Sequence, residues 1–130
     1  MIDIPISHQD LLQSSVATFA TIGPDGLPQL SEVWFLYEDG SLALSLSSGR
    51  QKTKNLKARP ACCLLILDLA VPQRYLEVRG DAQVTLDDGS FVERVGKKYE
   101  TDLRAYDQPG DQRVVVRITP RRVNAVDVRG

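Results

Sequence analysis

A single histidine, His8, serves a chain of 130 residues that also holds only two cysteines, one tryptophan and one methionine. One imidazole leaves no means of building a histidine-rich metal centre or a relay of histidines. The cysteines, Cys62 and Cys63, are sequence neighbours, too close for an ordinary disulfide and unlike the CxxC spacing of zinc and redox sites. They read as buried strand thiols. No apolar run reaches the roughly 18 residues of a membrane span, and the opening MIDIPISHQD carries an acid but no basic stretch of the kind a secretion signal needs. The expectation is a cytoplasmic protein with no membrane partner and no metal, whose 130 residues form one domain (1–130). His8 itself reads as an exposed residue in a short N-terminal helix capped by Ser7.

The formal net charge is only −1, yet positive charge is unevenly placed. SLSSGRQKTKNLKARP, from Ser45 to Pro60, contains Arg50, Lys52, Lys54, Lys57 and Arg59 and no acid. Setting these five aside leaves 11 basic residues against 17 acidic ones, so the remainder of the chain is acidic. A helix over Arg50 to Ala58, ended by Pro60, would carry all five cations on or beside it and have little to bury, with Ser47 or Ser48 able to cap it. Like charges four apart, such as Arg50 and Lys54, cost a few tenths of a kcal/mol each. A counter-anion at the helix N-terminus would relieve that cost, although a solvated surface helix serving solubility satisfies the same pattern.

Strand signals dominate elsewhere. VATFATIG (Val16 to Gly23), the GPDGLP connection and QLSEVWFLYE (Gln29 to Glu38) predict a hairpin. Asp39-Gly40 predicts a tight turn into SLALSLSS (Ser41 to Ser48). In that segment Leu42, Leu44 and Leu46 face one way, while Ser41, Ala43, Ser45 and Ser47 face the other. The second face is either solvated or leaves room for a flat ligand. ACCLLILDL (Ala61 to Leu69) reads as a strand buried on both sides. RYLEVRGDAQVTL (Arg74 to Leu86) alternates, with Leu76, Val78, Ala82, Val84 and Leu86 inward and a bend or bulge at Gly80.

DDGSFVERVGKKYETDLRAY predicts one long helix, with Ser90 and Glu93 as a capping box and Phe91, Val95, Tyr99 and Leu103 on one face. RVVVRITPRRVNAVDV predicts two strands broken at Thr119-Pro120. Seven or so strands, joined mostly by hairpins, indicate a mainly β, small antiparallel barrel with short flanking helices.

The succession FATIGPDGLPQLSEVWF, LSLSSGRQKTKNLKARP and YLEVRGDAQV resembles the pyridoxamine 5'-phosphate oxidase-like family of flavin and deazaflavin split-barrel proteins, over nearly the whole chain. The resemblance implies a six- to seven-stranded antiparallel split β-barrel acting as a homodimer, with cofactors in grooves between the subunits. It is strongest to small members, with Val-Trp in the second strand, that use the deazaflavin coenzyme F-420 to reduce conjugated double bonds; Lys52-Thr53-Lys54-Asn55-Leu56 is this chain's version of their helix.

The match implies that Gln29, Ser31 and Val33 lie along the cofactor-facing strand and that Ser45, Leu46 and Ser47 lie beneath the ring. Lys52 and Lys54 would hold phosphate or the acidic tail, assisted by Arg50, Gln51 and Asn55. Trp34, with Phe35 and Tyr37, and more weakly Tyr106 and Arg104, are candidates for the substrate wall, though strand aromatics also serve as core.

Where flavin mononucleotide (FMN) oxidases of the family carry Arg-Lys, this chain has Gln51-Lys52, and the C-terminal arginine and histidine pattern of the true oxidases is not evident. The first departure weakens tight FMN binding and leaves the deazaflavin ahead; the second removes the pyridoxal-phosphate-recognising feature of the true oxidases. The expected activity is hydride transfer to an unsaturated small molecule, in which the cofactor carries the reactive atom. That suits a sequence with no Ser-His-Asp or Cys-His set. FMN-dependent oxidase or reductase chemistry is the alternative. A barrel that binds a cofactor without turnover, or one that binds single-stranded nucleic acid, is a reading of another class; the pI near 5.8 and the absence of an extended basic stripe argue against nucleic acid.

Overall fold

Turn chemistry sets the first two hairpins of the computed structural model, which describes residues 3–129. Strand β1 (Ala17–Ile22) returns as β2 (Pro28–Val33) through a turn in which Gly26 has φ 82° and the Asp25 carboxylate accepts the Leu27 N–H at 3.0 Å. Strand β3 (Leu36–Glu38) returns as β4 (Ser41–Ser47) through Asp39 and Gly40, with φ of 52° and 75°. Positive φ at both central residues matches the right-handed twist of a hairpin. Helix α1 (Gln51–Ala58), β5 (Ala61–Leu67), β6 (Arg74–Leu86), α2 (Ser90–Tyr99) and β7 (Arg113–Asp127) follow, with 3-10 helices at Ile6–Gln13 and Leu103–Tyr106.

Every pairing is antiparallel, and the sheet order is β2-β1-β5-β6-β7-β4-β3. The sequence predicts one strand over Gln29–Glu38. Instead the chain breaks at Trp34-Phe35, and its halves become the two opposite edges of the sheet. Val33 and Leu36 are three residues apart, so the edges lie within roughly 11 Å of each other. Seven strands laid flat would separate them by roughly 29 Å. The sheet therefore curls into a split barrel. Its interior is filled by Phe19, Phe35, Leu44, Leu64, Ile66, Leu76, Val78, Val116 and Ile118, all essentially inaccessible.

The expected break at Thr119-Pro120 does not occur: β7 runs unbroken for 15 residues. Pro120 is accommodated because the register with β6 shifts there, Arg79 pairing with Arg122 but Gly80 with Pro120, which leaves Arg121 as the extra residue of a bulge. A side chain on Gly80 would overlap the Thr119 carbonyl. The inward row of β6 holds at Leu76 and Val78, weakens at Ala82 and Val84, and is lost at Leu86, which is 68% exposed.

The long helix is also shorter than its periodicity suggests. Helix α2 stops at Tyr99 because Glu100 turns left-handed, at φ 55°, and Leu103 belongs to a separate 3-10 turn. Its cap is not the Ser90–Glu93 box. The Asp87 carboxylate accepts the N–H groups of Gly89, Phe91 and Val92 at 2.8, 3.2 and 2.8 Å, placing a negative charge against the positive end of the helix. Phe91, Val92, Val95 and Leu103 then pack with Ala43 and Val115 on the outer face of β4 and β7.

At the N-terminus Pro5, not Ser7, occupies the cap position, and no side chain caps the helix. His8 is buried rather than exposed: its ring bonds the Val126 carbonyl at 3.0 Å and the Ser7 hydroxyl at 2.8 Å. Since a carbonyl only accepts, Nε2–H donates to Val126, and Nδ1 lies within hydrogen-bond distance of the Ser7 hydroxyl. Among the described residues no helix is long and apolar enough to cross a membrane.

Gly80→Ala is expected to destabilise the fold by about 2–3 kcal/mol, because the added methyl meets backbone that the bulge holds in place. Urea denaturation of the variant beside the parent measures it.

Candidate functional site

A cavity of about 380 Å³ opens where the curled sheet meets its own edge. Glu32, Val33 and Trp34, at the end of β2, form one side, and Ser45, Leu46 and Ser47 of β4 form another. The start of α1 contributes Arg50 and Lys52, and the segment after α2 contributes Leu103, Tyr106, Asp107, Gln108, Asp111 and Arg113. Strands β2 and β4 are not neighbours in the sheet, so closure of the barrel alone brings these residues together. The small face of β4 proves divided: Ala43 lies beneath α2, whereas Ser45 and Ser47 line the cavity.

Helix α1 is fixed by buried polar groups, contrary to the reading that it has little to bury. Thr53, Asn55 and Leu56 are 0–2% exposed. Thr53 Oγ1 donates to the Ser47 carbonyl at 2.7 Å. Asn55 Nδ2 donates to Thr21 Oγ1 at 3.0 Å and to Gln29 Oε1 at 2.9 Å, and Gln51 Nε2 donates to Asn55 Oδ1 at 2.8 Å. Gln29, Gln51 and Asn55 thus bind one another and lie outside the cavity lining. Lys52 Nζ donates to Ser31 Oγ at 3.1 Å, and burial, then the charge of Arg50, pushes the Lys52 ammonium below its ordinary pKa.

Neither Ser47 nor Ser48 caps α1: Arg50 is the cap residue, without a side-chain bond. The serine hydroxyls serve the Gly49 and Gln112 N–H groups instead. The five cations disperse. Arg50 and Lys52 reach the cavity, Lys54 and Lys57 stand exposed outside it, and Arg59 Nε turns back to the Ile22 carbonyl at 2.8 Å.

The cavity is also less basic than the sequence cluster suggests. Arg113 pairs with Asp107 at 2.7 Å and donates to the Leu103 carbonyl at 2.7 Å. Three acids, Glu32, Asp107 and Asp111, face three cations, Arg50, Lys52 and Arg113. The acids of Asp107–Gln112 had no signal in sequence, because only the fold brings that loop to the start of α1.

Trp34 is held by a clamp that sequence reasoning missed. Its indole stacks on Tyr99, with ring centroids 4.3 Å apart and planes 5° from parallel. Tyr99 Oη accepts the Phe35 N–H at 3.0 Å and donates to the Phe35 carbonyl at 3.2 Å. Lys98 Nζ donates at 2.8 Å to the carbonyls of both Ser14 and Phe35 and sits 4.1 Å from the centre of the Phe35 ring. Burial pushes the Lys98 ammonium down to about 8. Phe35 is core, Tyr37 packs against the core, Tyr106 stands 68% exposed at the cavity rim, and Arg104 is exposed outside the lining.

The thiols are unsuited to nucleophilic work. Cys62 is buried and Cys63 half-buried; burial, chiefly, raises them to about 12 and about 11. Strand β5 is covered on one face only. Cys62, Leu64 and Ile66 are buried, but Cys63, Leu65 and Leu67 are half-exposed and continue into Ala20 and the exposed Leu30 across β1 and β2.

Curled antiparallel sheet, edge-to-edge seam and cavity define the class of flavin-binding split barrels. The chain belongs to the pyridoxamine 5'-phosphate oxidase family, whose model matches residues 5–127. It is similar to an F420 reductase, at 32% identity and TM-score 0.80 over 93% of this chain and 98% of that one. A conserved hypothetical protein of Mycobacterium tuberculosis is 30% identical, with TM-score 0.77 over 99% of this chain and 88% of that one. The heme storage protein HutZ of Vibrio cholerae superposes with TM-score 0.77 over 99% of this chain and 100% of that one; at 14% identity the likeness is one of fold alone. Oxidoreductase and flavin-binding character is supported at the level of the family.

Two outcomes follow from the geometry. Asn55→Ala strips Thr21, Gln29 and Gln51 of their shared partner and should cost about 2–3 kcal/mol in denaturant unfolding, a loss that Lys54→Ala does not share. For Lys98, the unfolded chain with its ordinary value of 10.5 binds more protons than the folded one between about pH 8 and 10.5. Its contribution to stability therefore rises with pH across that window and is flat below it. Urea midpoints of the parent and Lys98→Met, compared from pH 7 to 10.5, should diverge in the parent's favour as pH rises.

Proposed function

We propose that this protein is a deazaflavin (coenzyme F-420)-dependent oxidoreductase that transfers a hydride to an unsaturated small-molecule substrate. The observation that carries the reading is the meeting, in one cavity, of a small-residue strand surface at Ser45 and Ser47 with two cations, Arg50 and Lys52, that form no ion pair with a carboxylate among the described residues. Ser45 and Ser47 would support a flat ring, and Arg50 and Lys52 at the start of α1 would hold its anionic arm. The 32% identity to an F420 reductase supports the same assignment.

When bound, the reduced deazaflavin supplies a hydride to an electron-poor carbon of the substrate. The chain's part is to bind, orient and exclude water. Lys52, steadied on Ser31, holds the anion, while Gln29, Gln51 and Asn55 fix the helix that presents it. Val33 and Leu46 supply apolar wall, Trp34 and Tyr106 flank the open side where substrate would enter, and Lys54, exposed further along α1 and outside the cavity lining, would meet the acidic tail of the coenzyme. The half-covered face of Ala20, Leu30, Cys63 and Leu65 supports a homodimer, because a single chain leaves that apolar surface against water. FMN-dependent redox chemistry is the second reading, favoured by the match to the pyridoxamine 5'-phosphate oxidase family.

Parallel titration with coenzyme F-420 and FMN, followed by ring fluorescence, tests the proposal. F-420 should bind more tightly, Lys52→Ala should weaken it roughly tenfold and Lys54→Ala less. Tighter FMN binding, or indifference to Lys52→Ala, overturns it. Light scattering on the eluting protein should give twice the 14.4 kDa of one chain.

A further inference from the structure

The loop from Asp107 to Gln112 is fastened to the turn that starts α1. Ser48 N donates to the Gln112 carbonyl at 2.7 Å, and Gln112 N donates to Ser48 Oγ at 2.9 Å. This places Asp111 over the turn, with its carboxylate pressed against Gly49: a Cβ built on Gly49 would come within 2.5 Å of Asp111 Oδ1. A side chain at 49 would push the Asp111 carboxylate from this position. Asp111 Oδ2 accepts the Gln108 N–H at 3.1 Å, which fixes the carboxylate from the loop side. A hydrogen bond from Ser47, then the Gln108 backbone, then the fields of Arg113 and Arg50 hold its carboxyl below the usual range, so it is ionised at neutral pH.

A fixed negative charge therefore lies beside the position assigned above to the ligand's anion. No acid occupies the first turn of α1 and no side chain caps it, so Asp111 is a neighbouring carboxylate supplied from a distant part of the chain. Arg113, the third cation of the cavity, is already committed to Asp107. The positive charge left for a ligand is that of Arg50 and Lys52, diminished by Glu32 at the end of β2 and by Asp111 at the start of α1.

Resting on the proposed function, we propose that Asp111 determines specificity by charge: its carboxylate disfavours a phosphomonoester at the start of α1 and admits a phosphodiester. A monoester, with a second pKa of about 6, carries nearly two negative charges at pH 7, whereas a diester carries one. Each added negative charge is repelled by a carboxylate that cannot move away without breaking its bond to Gln108. The coenzyme F-420 carries its phosphate as a diester and FMN as a monoester, so the same residue separates the two cofactors.

The test keeps the ring constant and changes only the phosphate. FMN and riboflavin 4',5'-cyclic phosphate, a diester, are titrated at pH 7.5 into the parent and Asp111→Asn, followed by flavin fluorescence. The parent should prefer the cyclic diester. Asp111→Asn, which retains an acceptor for Gln108, should tighten FMN roughly tenfold and the diester less than threefold, erasing the preference. Thermal melts confirm folding, and Asp111→Ser repeats the comparison if the asparagine variant does not fold. Flavin binding with the same monoester-to-diester ratio in parent and variant overturns the charge filter and leaves the functional reading standing. Binding of neither flavin to Asp111→Asn, with F-420 binding intact, shows that this carboxylate is not what excludes the monoester and overturns the filter alone; loss of F-420 binding as well removes both.

Discussion

Two residues, Trp34 and Phe35, join the opposite edges of a seven-stranded sheet, and the remaining architecture accommodates that short span. At the crossover the Phe35 N–H and carbonyl leave the strand ladder while the side chain stays in the core, a position where unpaired backbone groups are costly. Tyr99 answers both groups with one hydroxyl, and Lys98 adds a second donor to the carbonyl. Helix α2 is thereby the clasp of the barrel. Its early stop at Glu100 follows, because a continued helix would carry the chain away from the 3-10 turn that brings Leu103 and Tyr106 to the cavity.

The second fixed point is α1. Helix α1 packs on β1 and β6, and apolar contact alone does not hold it: it threads Asn55 between Thr21 of β1 and Gln29 of β2 and anchors Thr53 on the Ser47 carbonyl. Such a network contributes modest net stability but strongly selects one placement, since any shift leaves several buried groups unpaired. What it places is Lys52, whose reach to Ser31 sets the position of a partly desolvated ammonium.

The sequence reveals the strands through alternation and the hairpins through Gly26 and the Asp39-Gly40 pair, because those signals are local. The Gly80 irregularity is equally visible. Its partner at Pro120 is misread as a break, since only the register between two long strands shows that a bulge absorbs the proline. The split at Trp34-Phe35 is invisible for a related reason: QLSEVWFLYE has the composition of one strand, and closure of the sheet, a property of seven strands together, divides it. Within the site, SLSSGR and Lys52 are legible from small residues followed by cations. The acids Asp107 and Asp111 are not, for they lie far along the chain from α1 and are brought to its start by the Ser48–Gln112 clasp. Asn55 is named from sequence as a polar candidate, but its burial, which turns it toward the fold, cannot be inferred from a helix reading as charged on most sides.

Closure and cavity are one feature of this molecule. The end of β2 and the body of β4 stand far apart in the order of the sheet and face one another only across the seam, so the cavity exists because the barrel is split and bridged rather than continuously hydrogen-bonded. A continuous barrel of this size has an interior just wide enough for side chains or for one small ligand in place of them. Here the core remains filled by Phe19, Leu44, Leu64 and their neighbours, and the cleft lies outside it, floored by serines that cost little to desolvate because Ser45 and Ser47 are already nearly covered. The residues at the cleft are donors, acceptors, and aliphatic and aromatic surfaces, with the free thiols elsewhere and the one imidazole bonded at the other end of β7. A site so furnished has much to offer in holding and shielding a reactive molecule and little with which to react itself. That division of labour suits chemistry brought in by a bound ring.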